Sequence, residues 1–114
     1  MPTNERADSF KSDYKHLSDD QRAKFKVATR TFVANLLEIE AGKKVDFDPH
    51  LRVKPMKYYA GIWEMTWNGD GRATFEYGVP LKRMDEDGNE VADDPPKRHV
   101  VWRRIGTHAI FRRP

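Results

Sequence analysis

Apolar positions in the first forty residues recur at helical spacing. Ala7, Phe10, Tyr14 and Leu17 lie three or four residues apart with polar residues between them, which predicts a short amphipathic helix ending near Leu17 and Ser18. Ser18-Asp19-Asp20-Gln21 then has the form of a capping box, with Ser18 as N-cap and Gln21 at the third helical position. Asp19 and Asp20 also suit the positive end of the helix dipole. Phe25, Ala28, Phe32, Leu36 and Ile39 continue as one stripe, flanked by Val33 and Leu37, and Gly42 is a natural stop. The expectation is a helical hairpin over about residues 5–41, with stripes that need a sheet to cover.

Beyond residue 50 the period changes from helical to alternating. Lys43 to His50 reads as a loop, and Leu51-Arg52-Val53-Lys54 alternates up to Pro55. Ile62 to Trp67 is rich in strand formers, Asn68-Gly69-Asp70-Gly71 is a turn cluster, and Arg72 to Tyr77 is the return strand of a hairpin. Alternation puts Trp63, Met65 and Trp67 on one face and Ala73, Phe75 and Tyr77 on one face. These are expected to lie under the helices, leaving Arg72, Thr74 and Glu76 on an open face. Val79 to Lys97 is a long connection with three prolines. His99 to Ile105 is the last major strand, interrupted by Gly106-Thr107 before His108 to Phe111. The predicted architecture is one α+β domain over residues 1–114: a helical hairpin on one face of a twisted antiparallel sheet of about residues 51–111.

Charge adds an asymmetry that the pattern does not show. The net charge is +3, but residues 85–94 hold six acids and no base, which leaves +9 on the rest. Lys97 to Pro114 holds six bases and no acid. A basic surface beside an aromatic-rich sheet suits a polyanion, RNA or DNA first; the plain alternative is a solvated arginine-rich face. The 80–97 loop, acidic and flanked by prolines, is expected to be mobile. With no cysteine, disulfides, thiol catalysis and cysteine-based zinc sites are excluded. No apolar run has the length of a membrane span and the N-terminal residues are polar, so a cytoplasmic protein without membrane contact is expected.

The candidate chemistry is cationic. Lys54 and Lys57 flank Pro55-Met56, Arg72 opens the return strand, Arg103 and Arg104 sit on the last strand, and His108 follows it. In a meander, Arg72, His108 and one of Arg103 or Arg104 meet near one open face. Only one of the two neighbouring arginines points to a given face, and the sequence does not decide which. Arg52 and Arg112 extend the basic surface expected to contact RNA. Such a group suits attack of a 2′-hydroxyl on the adjacent phosphate. Fixed cations stabilise the charge gathered in the transition state, and histidine serves as acid or base near neutral pH. A lysine base needs a depressed pKa, which nearby cations supply. No metal or cofactor is required. Each residue also has a plainer meaning: strand cations are commonly solvated, and His108 suits a turn or cap. The tryptophans are expected in the core rather than as stacking platforms for bases. Asp46, Asp48 and His50 read as loop residues rather than metal ligands.

The order of Leu51 to Lys57, Gly61 to Met65, Gly71 to Phe75 and Val101 to His108, with Phe10, Asp13, Tyr14 and Leu17 in the first helix, resembles the RelE/ParE toxin superfamily, in its RelE-like branch. The resemblance spans nearly the whole chain. It implies a messenger RNA endoribonuclease, ribosome-dependent, that is silenced by a cognate antitoxin. It matches Lys54 and Lys57 to a basic catalytic strand, Arg72 to a phosphate-binding arginine, and His108 to a C-terminal acid or base. Three features depart from the family pattern: the usual N-terminal strand is weak or missing before Phe10, a tyrosine position is Phe111, and the acidic 85–94 stretch is an insertion. Gyrase poisons share this fold. A gyrase-directed toxin and a non-catalytic basic binding module therefore stand as alternatives.

Overall fold

A computed structural model describes residues 3–78, 83–84, 86–91 and 99–114. The elements are β1 (Thr3–Arg6), α1 (Asp8–Lys15), α2 (Asp19–Glu40), β2 (Lys54–Pro55), β3 (Trp63–Thr66), β4 (Gly71–Gly78), β5 (Arg83–Met84), β6 (Glu90–Val91) and β7 (His99–Thr107). Short 3₁₀ turns occupy Pro49–Leu51 and His108–Arg112.

The helical hairpin forms for the local reasons legible in the sequence. Ser18 Oγ accepts the Gln21 backbone N–H, and Gln21 Oε1 accepts the Ser18 N–H, closing the capping box. Gly42 takes φ +74°, the left-handed conformation that glycine adopts without steric cost. There the Gly42 and Lys43 N–H groups donate to the carbonyls of Ile39 and Glu38, a Schellman ending. Arg22 closes the corner between the helices, its guanidinium donating to the carbonyls of Tyr14 and Lys15.

A five-stranded sheet carries the helices, in the order β1-β7-β4-β3-β2. The expected helical layer on an α+β sheet is present. Pairing is antiparallel except at β1, which runs parallel to β7 with Thr3 opposite His99 and Arg6 opposite Trp102. The sheet is therefore mixed rather than wholly antiparallel, and an N-terminal strand exists where the sequence reads as weak or missing strand. Thr-Asn-Glu-Arg has no apolar alternation because it is an edge strand; its main-chain pairing and the contact of His99 Nε2 with Glu5 Oε1 (3.0 Å) hold it. The second deviation precedes β2. Leu51 to Val53 is not strand: Leu51 is buried from a 3₁₀ turn, and Arg52 follows it at φ 47°. Asn35, buried on α2, fixes this approach by accepting the Asp48 N–H at 2.7 Å.

The core lies between helices and sheet. Phe10, Phe25, Phe32, Leu36, Met65, Phe75 and Trp102 are all buried there. Trp102 sits within 5.3–6.1 Å of the rings of Phe10, Phe25, Phe32 and Phe75. Met65, Trp67, Ala73 and Phe75 are buried, with Trp63 and Tyr77 packed against them, as alternation requires.

At the β7 edge, α1 takes over where β1 ends. Ser9 Oγ donates to the Arg103 carbonyl at 2.7 Å. Asp13 accepts the Ile105 N–H and two bonds from the Arg104 guanidinium, at 2.6 and 3.1 Å. A bulge at this level places Thr74 opposite Arg104 and Phe75 opposite Trp102, skipping Arg103.

The sheet face away from the helices is not fully open. After β7 the chain folds back across it. A Cβ placed on Gly106 would lie 3.0 Å from Ile110 Cγ2. Arg103 donates to the main-chain oxygen of Pro114 and Arg104 to that of Arg113. Tyr59 Oη reaches the Arg112 carbonyl. Thr74, expected on an open face, is buried completely. Among the described residues its hydroxyl has no hydrogen-bond partner.

Of the 80–97 connection, β5 and β6 pair as a short antiparallel ribbon. Residues 79–82, 85 and 92–98 lie outside the described residues, and with them most of the segment expected to be mobile.

Asp13→Ala removes three charge-assisted bonds and strands a half-buried guanidinium. It should cost about 3 kcal/mol, read as a lower urea midpoint at constant slope. A loss below about 1 kcal/mol would contradict the role given to Asp13. Thr74→Val removes a buried hydroxyl without a partner and should leave stability unchanged or raise it by about 1 kcal/mol; a clear loss in the same assay would mean the hydroxyl is bonded.

Candidate functional site

Cross-strand register defines what the outer face presents. Directly opposed residues share a face. Lys54, Glu64, Thr74 and Arg104 are opposed across β2, β3, β4 and β7, and Thr66, Arg72 and Gly106 form the next row. Glu64 and Arg72 are therefore diagonal neighbours on one face, about 7–8 Å apart by ladder geometry. The main chain of His108 follows Thr107, which is opposite Gly71, so the turn at His108 begins one row beyond Arg72. The register thus brings Lys54 and Arg72 to the same face of the sheet, and the His108 turn begins just past the Gly71–Thr107 pair.

The β3–β4 turn holds Arg72 in place. The Trp67 ring lies against Gly71 so closely that an added Cβ would sit 2.6 Å from it; only glycine fits. Arg72 Nη1 donates to the carbonyls of Gly69 and Gly71, at 3.0 and 3.1 Å. The guanidinium is thereby oriented over its own turn.

The other candidates separate by their contacts. Lys54 Nζ lies 3.3 Å from Glu64 Oε1, whose side chain is only 14% exposed. The charged partner of Lys54 is thus a carboxylate, where a lysine base was expected to sit among cations. Lys57 is exposed, with its ammonium 5.5 Å from the Tyr58 ring centroid. Arg103 is engaged by Glu76 (3.4 Å) and Pro114, and Arg104 by Asp13 and Arg113. The hydrogen bonds that the Arg104 guanidinium donates to Asp13 raise the Arg104 pKa above its ordinary value. The question of which arginine faces the site therefore changes form: the bulge lets both reach the C-terminal segment, and both are tied by internal partners. Arg112 is exposed on that segment. Arg52 is exposed elsewhere, lining a cavity of about 650 Å³ with α2 residues and the β3–β4 turn.

Glu64 is the residue that sequence reasoning passed over. Strand alternation alone assigns it to the outer face, opposite Trp63 and Met65. Its register with Lys54 needed the β2–β3 pairing. Asp48, considered beside Asp46 and His50, is a structural tie. Lys44 Nζ donates to it at 2.8 Å, and that bond lowers the Asp48 pKa and raises that of Lys44. Asn35 Nδ2 also reaches it at 3.4 Å.

No protein-family model and no curated protein sequence matches the chain. Solved structures do match along its whole length. The Escherichia coli DinJ–YafQ complex aligns over 96% of this chain and 96% of that one, at 16% identity and a TM-score of 0.51. YafQ from E. coli aligns over 97% and 98%, at 14% identity and 0.52. A copper-bound mutant toxin from Helicobacter pylori aligns over 96% and 97%, at 16% identity and 0.52. Two helices on a five-stranded mixed sheet are common to this chain and these neighbours, and the chain has the RelE-like toxin fold.

Proposed function

We propose that this chain is the toxin of a type II toxin–antitoxin pair and that it cleaves messenger RNA on the ribosome without a metal ion. The observation that carries the reading is that Glu64 and Arg72 are diagonal neighbours on one sheet face. Similarity over nearly the full length to toxins of toxin–antitoxin pairs supports it, and the solved complex of YafQ with DinJ supports a protein antitoxin as partner.

The chemistry follows from the groups present. The Glu64 carboxylate accepts the proton of a ribose 2′-hydroxyl, and the 2′-oxygen forms a bond to phosphorus. Arg72 stabilises the negative charge on the non-bridging oxygens. The P–O5′ bond breaks and His108 donates a proton to the leaving 5′-oxygen. The products are a 2′,3′-cyclic phosphate and a 5′-hydroxyl, with proton and charge balanced and no cofactor consumed. Lys54 acts as a positioning residue that holds Glu64 by its ion pair. Lys57 and Arg112, both exposed, serve RNA backbone binding, whereas Arg103 and Arg104 act through the fold.

Induced expression followed by growth measurement and RNA end-mapping tests the reading. Wild type should arrest growth and fragment messenger RNA. Arg72→Ala, Glu64→Gln and His108→Ala should each lower cleavage by about 10²-fold or more, and Lys54→Met less. Intact RNA with inhibited DNA supercoiling would make the chain a gyrase-directed toxin instead. Harmless expression with unchanged RNA for wild type and variants alike would remove the toxin reading.

A further inference from the structure

The long helix α2 has two apolar faces, and the sheet uses only one. Phe25, Ala28, Phe32 and Leu36 are buried on the inner side. Ala23, Val27, Arg30, Ala34 and Leu37 are all exposed, Val27 at 61%. Their spacing is four, three, four, three. That is the 3.5-residue repeat of a coiled-coil seam rather than the scatter of a solvated helix surface. The seam spans fifteen residues, Ala23 to Leu37, about 21 Å of helix.

Charge narrows what covers it. From Gln21 to Leu37 the helix carries four bases and no acid. Arg22 lies 4.0 Å from Asp19 and Lys24 lies 3.0 Å from Asp20. Among the described residues, Lys26 and Arg30 make no ion pair. Arg30 occupies the centre of the seam, where a single charged residue specifies the partner and its register. Open cavities flank the seam on both sides, one of about 650 Å³ against the β3–β4 turn and one of about 460 Å³ towards Arg6.

From this we infer that α2 is a docking surface for one acidic amphipathic helix of a partner protein. The partner helix lies along Ala23 to Leu37 and sets a carboxylate against Arg30. Its apolar seam covers Val27, Ala34 and Leu37, and its flanking acids meet Lys24 and Lys26. The partner's identity as the antitoxin rests on the toxin reading; the surface itself does not. The surface is separate from the outer sheet face, so its occupation and RNA cleavage are read independently.

The probe is a synthetic helical peptide of about eighteen residues, with leucines at 3.5-residue spacing, glutamates on the flanks and one glutamate at the central seam position. A second peptide has lysine at that central position. Binding to the full chain is followed by fluorescence anisotropy and by amide shifts. The glutamate peptide should bind at least tenfold more tightly than the lysine peptide, with shifts along residues 23–37. Arg30→Glu should reverse that preference, and Val27→Asp should weaken both peptides. Both side chains are exposed, and an unchanged thermal midpoint verifies the fold. An unchanged preference in Arg30→Glu, or shifts confined to residues 54–74, would overturn the proposal. So would a concentration-dependent dimer abolished by Val27→Asp, which makes a second copy the occupant. So would displacement of the peptide by single-stranded RNA. Peptide binding with harmless expression removes the toxin reading alone; RNA cleavage without peptide binding removes the docking surface alone.

Discussion

The carboxylate of Asp13 ties the first helix to the last strand, more than ninety positions away in sequence. It accepts the Ile105 main-chain N–H and clamps the Arg104 guanidinium. The Ile105 bond caps an edge of β7 that β1, ending at Arg6, does not reach. An uncapped N–H at this level would leave a half-buried donor without a partner, at a cost of about 1–3 kcal/mol. With the edge capped, α1 sits against β7 and its Phe10 reaches the Trp102 cluster. Arg104, held by Asp13, passes the constraint on to the carbonyl of Arg113. Helix, last strand and C-terminal segment are thereby fixed as one unit.

That linkage shapes the outer sheet face proposed for RNA. The C-terminal segment covers Thr74 and occupies both arginines of β7. The part of the proposed site that stays uncovered lies on the β2–β3–β4 side. Basic charge there is modest, and the arrangement is a carboxylate between a lysine and an arginine rather than a field of cations. Such a site has a base as well as charge stabilisation, which a purely cationic surface lacks.

Features governed by nearest neighbours were legible in the sequence. The Ser18–Gln21 box, the Gly42 stop and the alternation of Trp63, Met65 and Trp67 depend on residues a few positions apart. The placement of Arg72 beside the turn and the helical layer over the sheet also followed from local pattern. The missed features depend on distant partners. β1 has no apolar signature because its pairing with β7 joins residues more than ninety positions apart. The bulge at Arg103 broke the alternation used to separate the two arginines. The cover over Thr74 required the chain to reverse after Thr107 and bring Ile110 against Gly106, where an added Cβ would lie 3.0 Å from Ile110 Cγ2. The role of Lys54 changed because a two-residue strand set it against Glu64, a register that no local pattern specifies.

The measurement that bears most directly on the account is an amide-shift titration with a single-stranded RNA carrying 2′-O-methyl groups throughout. Those groups block the nucleophile, so the bound state is observed without cleavage. Perturbations should concentrate at residues 64–66, 71–74 and 106–108, lose amplitude in Arg72→Ala, and spare α2. Perturbations centred on α2, or the same titration in wild type and Arg72→Ala, would contradict the assignment of the outer sheet face as the RNA site.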